Sequence, residues 1–105
     1  MGGSGIIVSM SRDEVLRRLS ALKGELGRFH VRSLSVFGSV ARDEATPESD
    51  IDLLVEFAEP VGLFEFVRLR RFLESMLGVR VDLATSSALR EEMRPRILAE
   101  AIRAA

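Results

Sequence analysis

The sequence predicts a small α/β domain built on one sheet. Two observations carry this: short β-patterned runs alternate with amphipathic helical stretches, and their order is helix, strand, strand, helix, strand, helix. A third sets the scale. The 105 residues, 47% of them hydrophobic, suffice for one compact core and leave no room for a second, so a multidomain polymerase or synthetase is excluded. Residues 1–10 are expected to form a flexible N-terminus and residues 11–105 the domain.

Ser11 is a plausible N-cap, with Asp13 and Glu14 in the first turn, where the helix dipole favours negative charge. Val15, Leu16, Leu19, Leu22 and Leu26 then recur at helical spacing, and Gly24 and Gly27 loosen the end of this first helix. Val31 to Phe37 alternates and stops at Gly38, as a strand does. Gly38 to Arg42 can open a helical turn, and Asp43 to Ser49, with Pro47, is a loop. Asp50 to Phe57 begins with alternation and becomes largely apolar, which marks a second, central strand. Leu63 to Leu77 is a helix with Leu63, Phe66, Leu69, Leu73, Met76 and Leu77 on one arc and Gly78 as its stop. Phe64, Val67 and Phe72 fall outside that arc, among Arg68 and Arg71; they either pack on neighbouring loops or form a partner surface. Val79 to Leu83 alternates strictly and is a third strand. Ser86 or Ser87 can cap a last helical region, in which Leu89, Met93, Ile97 and Ala101 repeat and Pro95 either makes a kink or starts a separate helix.

Composition narrows the chemistry. Lys+Arg 15 against Asp+Glu 16 gives a net charge of -1, so the field that tight, sequence-independent nucleic-acid binding needs is missing and nucleic acid is not favoured as a partner. Without Cys there is no disulfide framework and no thiolate zinc site, and the single His excludes an imidazole-rich metal centre. Any metal must be held by oxygen, which points to magnesium-like ions. His30 itself reads as a surface or linker residue. No stretch approaches a membrane span and the start lacks the pattern of a signal peptide, so a cytoplasmic chain with no membrane partner is expected.

The acids are placed to use such an ion. Asp50 and Asp52 lie two apart in a predicted strand, so their side chains share a face, an arrangement that is costly unless something positive sits between them. If the third strand neighbours the second, Asp82 joins them. Three converging carboxylates can hold one or two Mg²⁺ ions. Gly38 and Ser39 end a strand and open a turn: glycine admits close backbone approach, and exposed N–H groups with the Ser39 hydroxyl suit an anion. Arg42 can reach the same region with a planar cation fitted to phosphate. Each piece alone is ordinary. Gly-Ser, ten residues, then Asp-x-Asp is expected by chance about once in a thousand chains of this length, at roughly 5–7% of each residue type.

Around these residues the sequence resembles a known family. Phe37-Gly-Ser-Val-Ala-Arg42 and Ser49-Asp-Ile-Asp-Leu53 are similar to the signature of the minimal nucleotidyltransferases, smallest members of the DNA polymerase beta-like superfamily. Pro60 to Val67, Leu77 to Leu83 and Ile97 to Ala101 are similar to its later helix, its third-acid strand and its tail. The resemblance implies a nucleotidyltransferase palm, a mixed β-sheet with helices mainly on one side, and transfer of a nucleoside monophosphate, with ATP the usual substrate. It implies Asp50, Asp52 and Asp82 as catalytic metal ligands for Mg²⁺, two ions being usual, and Gly38 and Ser39 as the triphosphate turn. Many similar proteins are the antitoxins of HEPN/MNT modules, type VII toxin–antitoxin systems, and add AMP to a tyrosine of a HEPN-domain toxin. Since this chain contains no Tyr, such an acceptor must lie on another molecule. The rival expectations are an antitoxin that neutralises by complex formation without transfer, nucleotidyl transfer to RNA, and a structural subunit.

Overall fold

A computed structural model describes residues 11–105; the flexible N-terminus expected over 1–10 lies outside the described residues. Ser11 caps α1 (Arg12–Ala21) as its sequence predicts: its backbone is extended and its Oγ accepts the Glu14 N–H at 3.2 Å. Ser11→Ala should therefore cost about 1 kcal/mol in a denaturant melt, the usual value of a lost N-cap. Val15 and Leu19 turn this helix into the core. The single helix expected through Leu26 is two. α2 (Lys23–Arg28) restarts after Leu22, whose φ of -93° and ψ of 7° leave the helical well. The Leu22 N–H donates to the Leu19 carbonyl, tightening the last turn of α1, and Gly24 and Gly27 weaken the helix beyond it. Leu26 still reaches the core.

His30 turns the chain into the sheet with φ 64° and stays exposed, its Nδ1 3.4 Å from Glu59 Oε2, as a surface residue should. Four strands follow: β1 (Val31–Phe37), β2 (Ile51–Phe57), β3 (Val81–Thr85) and the short β4 (Ile102–Arg103). Their order is β3-β2-β1-β4, with β1 antiparallel to β2 and to β4, and β2 parallel to β3. The parallel pair requires a crossover, which α4 (Leu63–Leu77) supplies across one face. Along β2, Ile51, Leu53 and Val55 face the core together with Leu34, Val36, Val81 and Leu83. Leu69, Leu73 and Leu77 of α4 and Val15, Leu19 and Leu26 close over them.

The apolar arc of α4 is narrower than its sequence suggests. Leu63 is 78% exposed and Met76 47%, because they stand on the two rims of the Leu69-Leu73-Leu77 stripe. Phe72 packs on Phe29, ring centroids 5.0 Å apart, whereas Phe64 is 85% exposed. Gly78 ends the helix in the left-handed conformation, φ 74°, as expected. The residues beyond Thr85 divide: a 3₁₀ turn (Ser86–Ala88), then α5 (Arg94–Glu100) with Pro95 in its first turn, so that Pro95 starts a separate helix. A short α3 (Gly38–Ala41) follows β1.

Candidate active site

Parity along β2 and β3 decides where the acids point. With Leu53 and Leu83 in the core, Asp52 and Asp82 face the other side of the sheet, and the parallel register sets them directly opposite each other. The neighbouring strand on which the third acid depended is therefore β3. Asp50 precedes β2 by one residue rather than beginning it, and its Oδ1 lies 3.2 Å from Arg80 Nε. The structure thus brings Asp52 and Asp82 together, with Asp50 at the mouth of the pair.

Charge at the centre is concentrated and poorly compensated. The half-buried Asp52 carboxyl is pushed up to about 6 from its ordinary 3.8, first by burial, then by the Asp82 charge and a hydrogen bond shared with Asp82, and then by Asp50. Arg42 opposes this only weakly. A carboxylate pair held this way is stabilised by a cation between its members.

Gly38 explains how the centre is closed from the β1 side. Phe37 is the ladder partner of Asp52, so the chain leaves β1 directly beside that carboxylate. Gly38 takes φ 73°, and a Cβ built there would collide with Asp52 Oδ2 while standing 3.0 Å from its Cγ and 3.2 Å from its Cβ. The glycine is required twice, by backbone conformation and by the space Asp52 occupies. Ser39 comes next, with no partner for its hydroxyl among the described residues. Arg42 ends the turn, its N–H donating to the Gly38 carbonyl at 3.1 Å. Its guanidinium is held by Glu44 Oε1 at 3.1 Å and Glu100 Oε1 at 2.9 Å, so it adjoins the site without pointing freely into it.

The donor set is chemically right for a hard divalent ion: carboxylate oxygens only, with a charge surplus that burial makes costly. Among the described residues no three acidic or imidazole side chains already close on one point, since the Asp50 carboxylate is turned to Arg80. An exposed ion pair is worth about 0–1 kcal/mol and gives way readily to a dication.

A hollow of about 670 Å³ lies at the opposite end of β2 and β3, among Arg32, Phe57, Val61, Phe66 and Ser86. It contains none of the paired acids, and size alone does not outweigh the chemistry at Asp52 and Asp82. Two site contacts escape a reading of the sequence, the Arg80–Asp50 pair and the Glu100–Arg42 pair. The first has a local signal in the basic residue two before Asp82. The second, between residues 58 apart, has none.

The arrangement has counterparts among known proteins. Residues 13–105 match the model of the nucleotidyltransferase domain family. The protein adenylyltransferase MntA of Thermococcus cleftensis is 42% identical over 94 residues, 89% of this chain and 95% of that protein. A solved structure provisionally assigned as a minimal nucleotidyltransferase superposes with a TM-score of 0.78 at 40% identity, covering 95% of this chain and 98% of that one. The complex of a tri-AMPylated Shewanella oneidensis HEPN toxin with its MNT antitoxin shares the fold, with a TM-score of 0.63 at 17% identity over 87% of this chain and 71% of the matched chain. With most of its length matched by the family model and by a relative of this identity, the chain belongs to the nucleotidyltransferase family, in its minimal branch with the MntA protein adenylyltransferases.

Proposed function

We propose that this chain transfers AMP from ATP to a tyrosine hydroxyl of a HEPN-domain toxin and acts as the cytoplasmic antitoxin of a type VII pair. The observation that carries this reading is the in-register Asp52–Asp82 pair beneath Gly38. Asp50, Asp52 and Asp82 would hold Mg²⁺, which when bound supplies charge neutralisation on the triphosphate and on the departing pyrophosphate. The glycine turn and the Ser39 hydroxyl would seat the triphosphate, and Arg42 would add its cation on leaving Glu100. Asp82, exposed on β3, takes the proton of the acceptor hydroxyl; that oxygen bonds to the α-phosphorus as the bond to pyrophosphate breaks. Positioning and charge dominate, since a phosphoryl centre needs little covalent help.

A protein acceptor is supported by the identity of the Thermococcus cleftensis relative, and an acceptor outside this chain by its lack of Tyr. Among the described residues no helix is long and apolar enough to cross a membrane. The test combines the protein, ATP and Mg²⁺ with the helical product of an adjacent reading frame and weighs that product. A mass gain in multiples of one AMP is expected; unchanged mass with toxicity suppressed would favour occlusion. Asp82→Asn should slow transfer by about 10²-fold, the scale of a lost general base. Transfer at the parent rate would remove Asp82 from the mechanism.

A further inference from the structure

Among the described residues Asp82 stands on an edge strand, with no further strand paired to its outer side. The Ile51 N–H donates to the Arg80 carbonyl at 3.0 Å, which fixes the parity of the parallel ladder: Asp82 and Ala84 bond toward β2, and Val81, Leu83 and Thr85 turn their backbone groups outward. The Val81 N–H is taken by Glu74 Oε2 at 3.0 Å. The Leu83 N–H and carbonyl and the Thr85 N–H have no partner among the described residues. Edge strands are commonly blunted by lysine, proline or a bulge. Here the sequence is Val-Asp-Leu-Ala-Thr, its ladder with β2 is unbroken, and its one charge is Asp82. Met76 and Val79, 47% and 37% exposed, offer apolar contact around the α4–β3 connection.

We infer that the acceptor protein docks by adding an extended segment to the outer edge of β3, which places a hydroxyl-bearing side chain beside Asp82. The inference rests on the transferase reading. Unpaired backbone groups recognise extended backbone, and a strand in that position lies about 4.8 Å from β3. Alternate side chains then share a face with Asp82, and the others turn to the helix-covered side with Met76. Charge selects the occupant. A second copy of this chain would bring its own Asp82 onto a face already carrying Asp52 and Asp82, whereas a segment free of carboxylates adds no such repulsion.

The test uses the full chain, ¹⁵N-labelled, with ATP and Mg²⁺ and the peptide Lys-Thr-Val-Tyr-Val-Thr-Lys as probe. A second peptide is the same sequence N-methylated at every residue between its two lysines, which removes the N–H donors and sets blocking methyl groups on both backbone edges. The first peptide should slow amide exchange at Leu83 about tenfold or more, and the methylated one should leave it unchanged. Thr85→Pro removes an outward N–H while sparing the bonds to β2, and should weaken peptide binding about tenfold with the circular dichroism of the fold retained. Absence of binding, equal binding of both peptides, or binding without protection of Leu83 would each overturn edge docking. So would Leu83 protection that grows with protein concentration alone, which would assign the edge to a second copy. Leu83 protection with no AMP on the tyrosine leaves edge docking standing and counts against the transferase reading; AMP transfer without that protection does the reverse.

Discussion

Replacing Gly38 with alanine should reduce nucleotidyl transfer by about 10³-fold or more, because the new methyl group enters the space of an acid proposed to hold the reacting triphosphate through its ion. Two costs coincide. A left-handed backbone with a Cβ is disfavoured by about 1–2 kcal/mol. The collision with the Asp52 carboxylate then forces either the β1–α3 turn or Asp52 itself to shift, and neither moves freely, since Phe37 and Asp52 are ladder partners. A denaturant melt should show the loss of stability and a transfer assay the loss of rate. Gly24→Ala is the control: nothing lies within 4 Å of its added Cβ, and as a helical site it should gain about 0.5–1 kcal/mol. If Gly38→Ala also proves neutral, the turn does not pack on Asp52.

What the sequence made legible was local. Asp50-x-Asp52, Gly38-Ser39, the Ser11 cap and the Gly78 stop are short-range devices, and each sits within a residue or two of its expected place. The partnership of Asp52 with Asp82 needed one long-range fact, the adjacency of β2 and β3, which a crossover helix between two strands makes natural and alternation alone does not establish. Features created by tertiary contact were not legible. β4 is two residues without periodicity, and it exists because Ile102 and Arg103 meet β1 while Ala105 receives the Leu34 N–H. Strict alternation placed the third strand at 79–83, yet pairing begins at Val81, because Gly78 in its left-handed conformation must first redirect the chain. The rims of α4 misled for a similar reason: an apolar pattern shows which face can be buried, and the width of the sheet decides how much of it is. Arg42 is the functional case. Its position beside the turn follows from spacing, but Glu100, which holds it at 2.9 Å, arrives from the other end of the chain.

Asp52→Asn should abolish transfer, by about 10³-fold or more if the carboxylate holds the ion, and at the same time stabilise the fold at neutral pH. The second effect arises from the surroundings of the carboxyl. Asp52 is half-buried opposite Asp82 and near Asp50, and its carboxyl is raised to about 6 against an ordinary 3.8. A carboxyl raised in the folded state binds a proton there that the unfolded chain has already released, so the wild-type protein loses stability as pH rises from about 4 through 6. The asparagine variant has no such loss. Its melting temperature should therefore exceed that of the wild type by several degrees at pH 7.5 in EDTA, and the gap should shrink as pH falls toward 4.5. Magnesium should narrow the gap at pH 7.5 by raising the wild type alone, as a ligand that binds only the folded state must. Equal melting temperatures at pH 7.5, or a gap that ignores pH, would mean that burial and the neighbouring acids do not raise the Asp52 carboxyl as its surroundings imply. A gap that ignores Mg²⁺ would instead remove the ion from the pair while leaving the repulsion intact. The stability sacrificed at Asp52 is then the physical measure of how strongly this palm is prepared for a cation.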